Sequence, residues 1–192
     1  MPTTTTNKTI ADMALGYLGQ APLNDFSEDS RNGRMIRLYF DPVRRGVLED
    51  YPWSFATKRQ ELAPLSTNPA FGFDYQFALP GDFLKERFVR DTNNNDIEYV
   101  IEGELVKTNC EAIRLIYTSD IDDISKYSAK FVELFALKLA ASCGYKATQS
   151  RTETKVLMNE YKALLVETMS NDSSGDGEPR VEDGTRNWLA NI

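Results

Sequence analysis

The residues of this chain whose types and spacing could support chemistry are its carboxylates. There are 29 Asp and Glu among 192 residues. Two close groups, Glu49/Asp50 and Asp120/Asp122/Asp123, could serve a glycosidase, which uses one carboxyl group as acid and another as base or nucleophile. With so many acids, close pairs arise by chance, and Asp122 and Asp123 better fit the start of a helix. The carboxylates by themselves therefore do not indicate an enzyme.

The rest of the composition argues against several common kinds of catalytic and metal-binding site. The chain has no histidine, which is the usual general base and the commonest metal ligand. Its two cysteines are too few for a disulfide framework or a cysteine metal site. Cys143 lies in an apolar stretch and predicts a buried thiol, and Cys110 follows a strand and is predicted to be free. We therefore predict no catalytic residue, no metal and no cofactor.

One segment partly imitates a calcium-binding loop. Asp91, Asn93, Asn95 and Glu102 stand at the first, third, fifth and twelfth positions of such a loop. The sixth position, where the sharp turn needs glycine, is Asp96. The flanking residues have the pattern of strands, whereas a calcium loop lies between helices. The segment therefore predicts a hairpin loop.

The bulk composition indicates a globular protein with a core of its own. Hydrophobic residues make up 41% and charged residues 27% of the chain. The net charge of −7 disfavours a phosphate-binding patch, and it is compatible with a channel through which DNA slides without sticking. The N-terminus lacks the pattern of a signal peptide, and no stretch approaches the ~18 apolar residues that span a bilayer. We expect a protein made in the cytosol, or built into a particle there, with no membrane partner.

Two helices are predicted on the N-terminal side. An apolar stripe at helical spacing predicts the first, and Gly19 and Pro22 end it. Ser27 predicts the start of the second, which continues to Leu48, and Pro42 inside it predicts a kink or short break. The arginines of this second helix indicate a solvated face or, alternatively, ion pairing with a neighbouring subunit. The candidates for subunit packing are Arg34, Arg37, Arg44 and Arg45.

A group of short strands follows. Aromatic and aliphatic residues alternate with small or polar ones from Phe71 to Leu79, which predicts a strand with one buried aromatic face. Further strands are predicted over 83–90, 97–101, 105–106 and 113–117. Their spacing favours antiparallel hairpins that form a small insertion between helices.

The C-terminal part predicts two more helices and an arm. Residues 126–145 are apolar nearly all round, which is typical of a helix buried at the centre of a bundle. Ser150 and Glu153 predict a capping box that opens a fourth helix. From Asn171 the composition turns polar and acidic and predicts a flexible arm. The predicted class is α+β: a mainly antiparallel helical bundle, 1–56 and 121–170, an inserted β subdomain, 57–120, and the arm, 171–192.

The arm regains apolar residues at its end. Extended, it could reach about 70 Å at ~3.3 Å per residue. A long polar segment with an apolar tip suits docking onto a partner, and a frayed terminus is the alternative. The docking candidates are Arg180, Val181, Arg186, Trp188, Leu189 and Ile192.

The order of these segments resembles a known family. The joint Tyr51-Pro52-Trp53-Ser54-Phe55-Ala56 connects a charged helix to the strands. Matching segments also occur at 14–22, 34–39, 77–84, 99–108 and 131–141. No single segment is diagnostic, but their order and spacing resemble the head-to-tail adaptors of short-tailed bacteriophages, also called connector or tail tubular proteins. The short tail of this chain departs from the larger members.

The resemblance implies a virion structural protein at the head–tail junction, assembled in the host cytoplasm. In that family, copies form a ring, usually a dodecamer, which docks on the portal through the C-terminal arm. The ring extends the channel for DNA ejection and supports the tail nozzle, and DNA passes without specific binding. The resemblance thus implies binding rather than catalysis, with the portal, the nozzle and neighbouring copies as partners.

The sequence is also compatible with two other functions. One is a virion-associated cell-wall glycosidase that uses two carboxylates. The other is a small cytosolic binding or regulatory module with no role in a virion. A lytic activity abolished by single Asp or Glu substitutions would favour the first. A chain that stays monomeric and never associates with a portal would favour the second.

Overall fold

A computed structural model describes residues 5–172 and has an α+β architecture. The described residues form two compact units. The helical unit contains the residues up to Tyr51 and those from Asp122 on, and the sheet unit is Pro52–Ile121. The boundary between the two units lies between Tyr51 and Pro52, within the Tyr51–Ala56 joint.

The helical unit contains four α-helices. They are α1 (Asn7–Tyr17), α2 (Arg31–Asp50), α3 (Ala129–Thr148) and α4 (Arg151–Asp172). Serine or threonine side chains accept hydrogen bonds from the first-turn amides, as Thr6 does for α1, Ser30 for α2, Ser128 for α3 and Ser150 for α4. Half of the predicted capping box is seen: Ser150 Oγ accepts from the Glu153 amide at 3.2 Å, whereas the Ser150 amide donates to Thr148 Oγ1 at 3.1 Å.

Helix α3 lies at the centre of this unit, because α1, α2 and α4 each pack against it. Its residues from Phe131 to Ala141 are buried except Glu133 and Lys138, which are partly exposed. The prediction that this helix is buried is therefore confirmed. Aromatic rings run through the interface with α2: Phe135 lies 4.8 Å from Phe40 and 6.0 Å from Phe131 between ring centroids.

Three predictions about helix ends were wrong. Helix α2 begins after Ser30 rather than at Ser27, because Ser30 Oγ accepts from the Gly33 amide at 3.0 Å. Of the kink or short break expected at Pro42, the break is not seen, since α2 continues to Asp50. Proline removes one backbone hydrogen bond, and packing of the buried face outweighs that loss. Asp123 caps a short 3₁₀ turn, Ile124–Lys126, instead of starting α3.

Close packing of α3 against α4 makes Gly144 sensitive to substitution. A methyl group at Gly144 would lie 2.7 Å from Thr154 Oγ1, whereas one at Gly16 in α1 would meet nothing within 4 Å. We expect Gly144→Ala to lower the free energy of unfolding by about 1–3 kcal/mol, because overpacking outweighs the better helix propensity of alanine. Gly16→Ala, the matched control, should raise it by about 0.5–1 kcal/mol. Chemical denaturation would measure both, and equal effects of the two substitutions would contradict the close approach.

The sheet unit contains two three-stranded antiparallel sheets. Their strands are β1 (Thr57–Leu62), β2 (Tyr75–Ala78), β3 (Phe83–Asp91), β4 (Tyr99–Glu102), β5 (Leu105–Thr108) and β6 (Ile113–Ser119). The strand orders are β1-β6-β3 and β2-β5-β4. Residues from both sheets share one core, which includes Phe77, Val106, Ile113 and Leu115, all fully buried.

The strands differ from the expectation in three ways. The alternating segment 71–79 forms a strand only over Tyr75–Ala78, and Phe71 is 89% exposed. Strand β1 was not predicted, because its residues are mostly polar and exposed. The unit is also not a succession of hairpins: β4 and β5 form one, but β6 pairs with the distant β1 and β3.

Polar side chains connect the first sheet to the turn before β3. Asp82 accepts a hydrogen bond from the Tyr117 hydroxyl at 2.9 Å and pairs with Lys58. Burial and this hydrogen bond to Asp82 raise the pKa of Tyr117 to about 12. Although burial opposes it, the hydrogen bonds from Lys58 and Tyr117 lower the pKa of Asp82. Both shifts favour the hydrogen-bonded pair of a neutral phenol and a carboxylate.

Candidate interaction surface

One face of the helical unit combines cations with exposed apolar atoms. A depression of about 370 Å³ there is lined by two helices, and we call it the α2–α3 surface. Its residues are Arg31, Arg34, Met35, Leu38, Lys146 and Gln149. Leu38 is 60% exposed, so an aliphatic side chain lies among the charged groups of this surface.

Hydrogen bonds hold the two arginines of this surface in place. Arg31 donates to the backbone oxygen of Lys146 at 2.9 Å, which satisfies a carbonyl in the last turn of α3. Arg34 pairs with Asp29 at 2.6 Å, and both side chains are exposed. Each guanidinium keeps further donors, so the surface can accept carboxylates from a partner.

Aromatic rings support the remaining cations. Lys146 Nζ lies 5.1 Å from the centroid of the Tyr39 ring, and the Arg151 guanidinium lies 5.6 Å from the Tyr145 ring. Such cation–π contacts contribute about 0.5–1 kcal/mol at exposed sites. Tyr145 is 47% exposed, so this end of the unit presents an aromatic group beside positive charge. Arginine and aromatic residues are enriched at protein interfaces.

The four arginines predicted for subunit packing have different surroundings. Arg34 lines the α2–α3 surface. Arg37 donates to the backbone oxygens of Phe26 and Glu28 at 2.7 and 2.9 Å and so holds the loop before α2. Arg44 is buried and pairs with Asp41 at 2.6 Å, and the exposed Arg45 reaches the same carboxylate at 3.2 Å.

The α2–α3 surface contains residues that the sequence did not single out. Lys146 and Gln149 come from the end of α3, more than a hundred residues after Leu38 in the sequence, so no local pattern connects them to α2. Leu38 belongs to the apolar helical pattern of the second helix, which predicts a buried side chain, so its 60% exposure is a correction. The docking candidates from Arg180 to Ile192 lie outside the described residues.

Two of the acidic groups considered for chemistry, Asp50 and Asp91, have structural contacts in the described part of the chain. Asp50 accepts from Lys138 Nζ and from the Tyr161 hydroxyl, both at 2.5 Å. Burial raises the pKa of Tyr161, and the nearby Asp50 carboxylate raises it further. The Asp91 carboxylate accepts from the amides of Asn93 and Asn95, each at 2.8 Å, and these bonds lower its pKa. The predicted loop at 93–95 is thus a tight turn closed by Asp91.

The two thiols behave as the sequence indicated. Cys110 and Cys143 are both free, and Cys143 is fully buried. Burial raises the pKa of the Cys143 thiol to about 12, which keeps it protonated near neutral pH. Among residues 5–172, no three His, Cys, Asp or Glu side chains are grouped as metal ligands.

Within the described residues, no helix has both the length and the apolar character needed to span a bilayer. A scan against models of known protein families found no match to this chain. A search of curated proteins likewise found no match.

Proposed function

We propose that this protein is a head-to-tail adaptor of a bacteriophage virion. Its copies form a ring that docks on the portal, extends the DNA channel and provides the platform for the tail nozzle. The proposed mechanism is binding alone. The ring belongs at the head–tail junction and assembles in the host cytoplasm.

The observation that carries the proposal is the α2–α3 surface. Its exposed Leu38 lies among Arg31, Arg34 and Lys146, and this combination favours a protein partner with apolar and acidic groups. In a ring, one surface of each copy contacts a different surface of the next, so a subunit needs two complementary patches. The acidic composition of the chain makes complementary acidic patches available.

The arrangement of helices supports the same proposal. We propose that the four helices act as one bundle, with α3 as a rigid central element. Helices α1, α2 and α4 each pack against α3, and we propose that their other faces contact neighbouring copies. The Tyr51–Ala56 joint spans the boundary between the helical unit, which ends at Tyr51, and the sheet unit, which starts at Pro52.

The arm is proposed as the element that engages the portal. Its apolar tip, Trp188, Leu189 and Ile192, would bury against the portal, with Arg180, Val181 and Arg186 beside it. Contacts of this kind are weak singly and become strong when many copies are held together. The chain is therefore proposed to stay monomeric until the portal templates the ring. DNA would pass the negatively charged channel without specific binding.

Assembly with the portal protein of the same genome tests the α2–α3 surface. We expect Leu38→Glu to weaken formation of the portal–adaptor complex about tenfold, because it removes an apolar contact and neutralises the adjacent cations. Sedimentation velocity over a concentration series would measure the loss. A chain ending at Ser170 should fail to dock at all.

Val156→Glu is the matched control for this substitution. Val156 is an aliphatic residue of α4 with 49% exposure, and it lies outside the α2–α3 surface. It should leave assembly unchanged. Equal assembly by the Leu38→Glu chain and the unaltered chain would remove the α2–α3 surface from the proposal.

A further inference from the structure

One loop of the sheet unit presents a phenylalanine to solvent. Residues 63–73, between β1 and β2, contain no charged side chain, although 27% of the residues of the chain are charged. Phe71 is 89% exposed, more than any other large apolar side chain in the described residues, and Leu65 of the same loop is 38% exposed. An uncharged loop that exposes two large apolar side chains is a candidate for contact with another surface. We call residues 63–74 the Phe71 loop.

Hydrogen bonds hold both ends of the Phe71 loop. On the β1 side, the Leu65 amide donates to the backbone oxygen of Gln76 at 2.8 Å, and the Gln76 side-chain amide donates to the backbone oxygen of Thr67 at 2.8 Å. On the β2 side, the Asp74 amide donates to Asn109 Oδ1 at 3.0 Å. A loop that is held in this way loses less conformational entropy on binding than a free one, so more of the contact energy appears as affinity.

Asp74 adds a negative charge near the exposed ring. Its side chain is exposed and makes no ion pair with another described residue. Asp74 follows Phe71 by three residues, which limits the distance between their Cα atoms to about 11 Å. The Phe71 loop therefore combines an aromatic ring with a carboxylate, and its complement is a surface that combines apolar atoms with cations.

The α2–α3 surface has both of those features. Met35 and Leu38 provide apolar atoms, and Arg31, Arg34 and Lys146 line the same depression. Its volume of about 370 Å³ falls in the range of pockets that hold small ligands, so it has room for one aromatic ring.

A ring and a carboxylate would each find partners there. Lys146 Nζ already lies 5.1 Å from the centroid of the Tyr39 ring, so a cation of this surface makes a cation–π contact. Arg34 pairs with Asp29, and the two side chains are 61% and 82% exposed. Because an exposed pair of this kind contributes little, the Asp74 carboxylate of another molecule can take the place of Asp29 at small cost.

We propose that the Phe71 loop of one molecule docks on the α2–α3 surface of a second copy, with the Phe71 ring against Leu38 and the Asp74 carboxylate against Arg34. The contact joins two different surfaces, so it can be repeated along a series of copies. It names the partner of the α2–α3 surface, and its role in a ring rests on the proposed adaptor function. Because a single contact is weak, isolated copies stay monomeric at low concentration.

The depression of about 340 Å³ on the β1-β6-β3 sheet fits the Phe71 loop less well. Its apolar residues Phe88 and Ile116 are half-buried, so they offer less surface than the exposed Leu38 does. Glu61 also lines this depression and is 69% exposed, so it would repel the Asp74 carboxylate. None of the residues that line the α2–α3 surface is acidic.

Photo-crosslinking between two populations of the full chain tests the contact. One population carries Phe71→p-benzoylphenylalanine, and the other is isotope-labelled. Irradiation of the mixture at about 1 mM, where weak contacts are populated, should link residue 71 of the first to a labelled peptide from residues 31–38 or 146–149, as identified by mass spectrometry. Leu38→Glu in the labelled chain should lower the yield about 5- to 10-fold. Asp74→Asn in the photoreactive chain should lower it about threefold, because one ion pair is lost.

Val156→Glu in the labelled chain is the matched control for Leu38→Glu. Val156 is 49% exposed on α4 and lies outside the α2–α3 surface, so the yield should stay the same. The proposal fails if residue 71 forms no crosslinks between copies, or forms them only with other parts of the chain, such as the strands around Glu61. A yield that Leu38→Glu leaves unchanged would also overturn it.

The same chains mixed with the portal protein separate this contact from the adaptor function. A portal–adaptor complex without crosslinks from residue 71 to the α2–α3 surface would contradict the contact and leave the adaptor function in place. Crosslinks at the α2–α3 surface without any complex with the portal would support the contact and count against the adaptor function. Crosslinks from residue 71 to the portal alone would assign the Phe71 loop to the portal and so contradict the contact between copies.

Discussion

Phe135→Ala is expected to lower the free energy of unfolding of the helical unit by about 3–5 kcal/mol, the usual range for a phenylalanine removed from a core. Phe135 is fully buried in α3, with Phe40 of α2 on one side and Phe131 on the other. Alanine would leave a cavity where these three rings meet. Because α3 is the helix against which all the others pack, the surroundings have little freedom to collapse into it.

Phe71→Ala is the matched control for this substitution. The same side-chain atoms are removed, but Phe71 is 89% exposed and should change the free energy of unfolding by less than about 0.5 kcal/mol. Chemical denaturation followed by the helical circular-dichroism signal would measure both variants. The same large loss for both would mean that Phe71 lies in a core, as its alternating sequence pattern predicts. A small loss for Phe135→Ala would contradict the central position of α3.

The polar contact of Asp50 with Lys138 and Tyr161 is the second feature whose removal should have a large effect. It connects α2, α3 and α4 through one carboxylate, and Lys138 Nζ also lies 5.1 Å from the Tyr161 ring centroid. The Lys138 side chain is only 19% exposed, so water replaces a lost partner poorly. Asp50→Ala should lower the free energy of unfolding by about 2–4 kcal/mol, because it leaves a partly buried ammonium and a hydroxyl without their shared acceptor.

Asp29→Ala provides the comparison, because Asp29 pairs with Arg34 where both side chains are exposed. It should cost less than about 0.5 kcal/mol. A double-mutant cycle of Asp50→Ala and Lys138→Met would then isolate the pair, and we expect the double variant to lose less than the sum of the single losses. Additive losses would show that Asp50 and Lys138 act independently, contrary to the contact described here.

Long periodic patterns of the sequence predicted the fold well, and short ones did not. The apolar stretch 126–145 has a single structural solution, a buried helix, and α3 occupies Ala129–Thr148. The ends of the helices depend on which of several serines caps them, and Ser27 and Ser30 differ only in local geometry. Alternation at 71–79 indicates a strand but says nothing of where pairing stops, and Gly72 has a φ of 90°, outside the range of a strand. Strand β1 pairs through its backbone, so its polar side chains gave no sign of it.

The candidate surface could be predicted only in part. Charge along α2 identified Arg34, but Arg44, of the same type and on the same helix, is buried against its neighbour Asp41. Whether an arginine is free to contact a partner depends on the fold around it, which charge patterning does not specify. Lys146 and Gln149 join Arg34 only because α3 packs against α2. The row of Glu61, Arg114 and Arg90 across β1, β6 and β3 depends in the same way on the register of three strands that are distant in sequence.

Light-scattering mass of the full chain, alone and mixed with the portal protein of the same genome, tests the adaptor proposal most directly. The account predicts a monomer alone and, with the portal, one large complex whose mass corresponds to the portal plus a ring of adaptor copies. A chain that stays monomeric in the presence of the portal would contradict the account and would favour a cytosolic binding module.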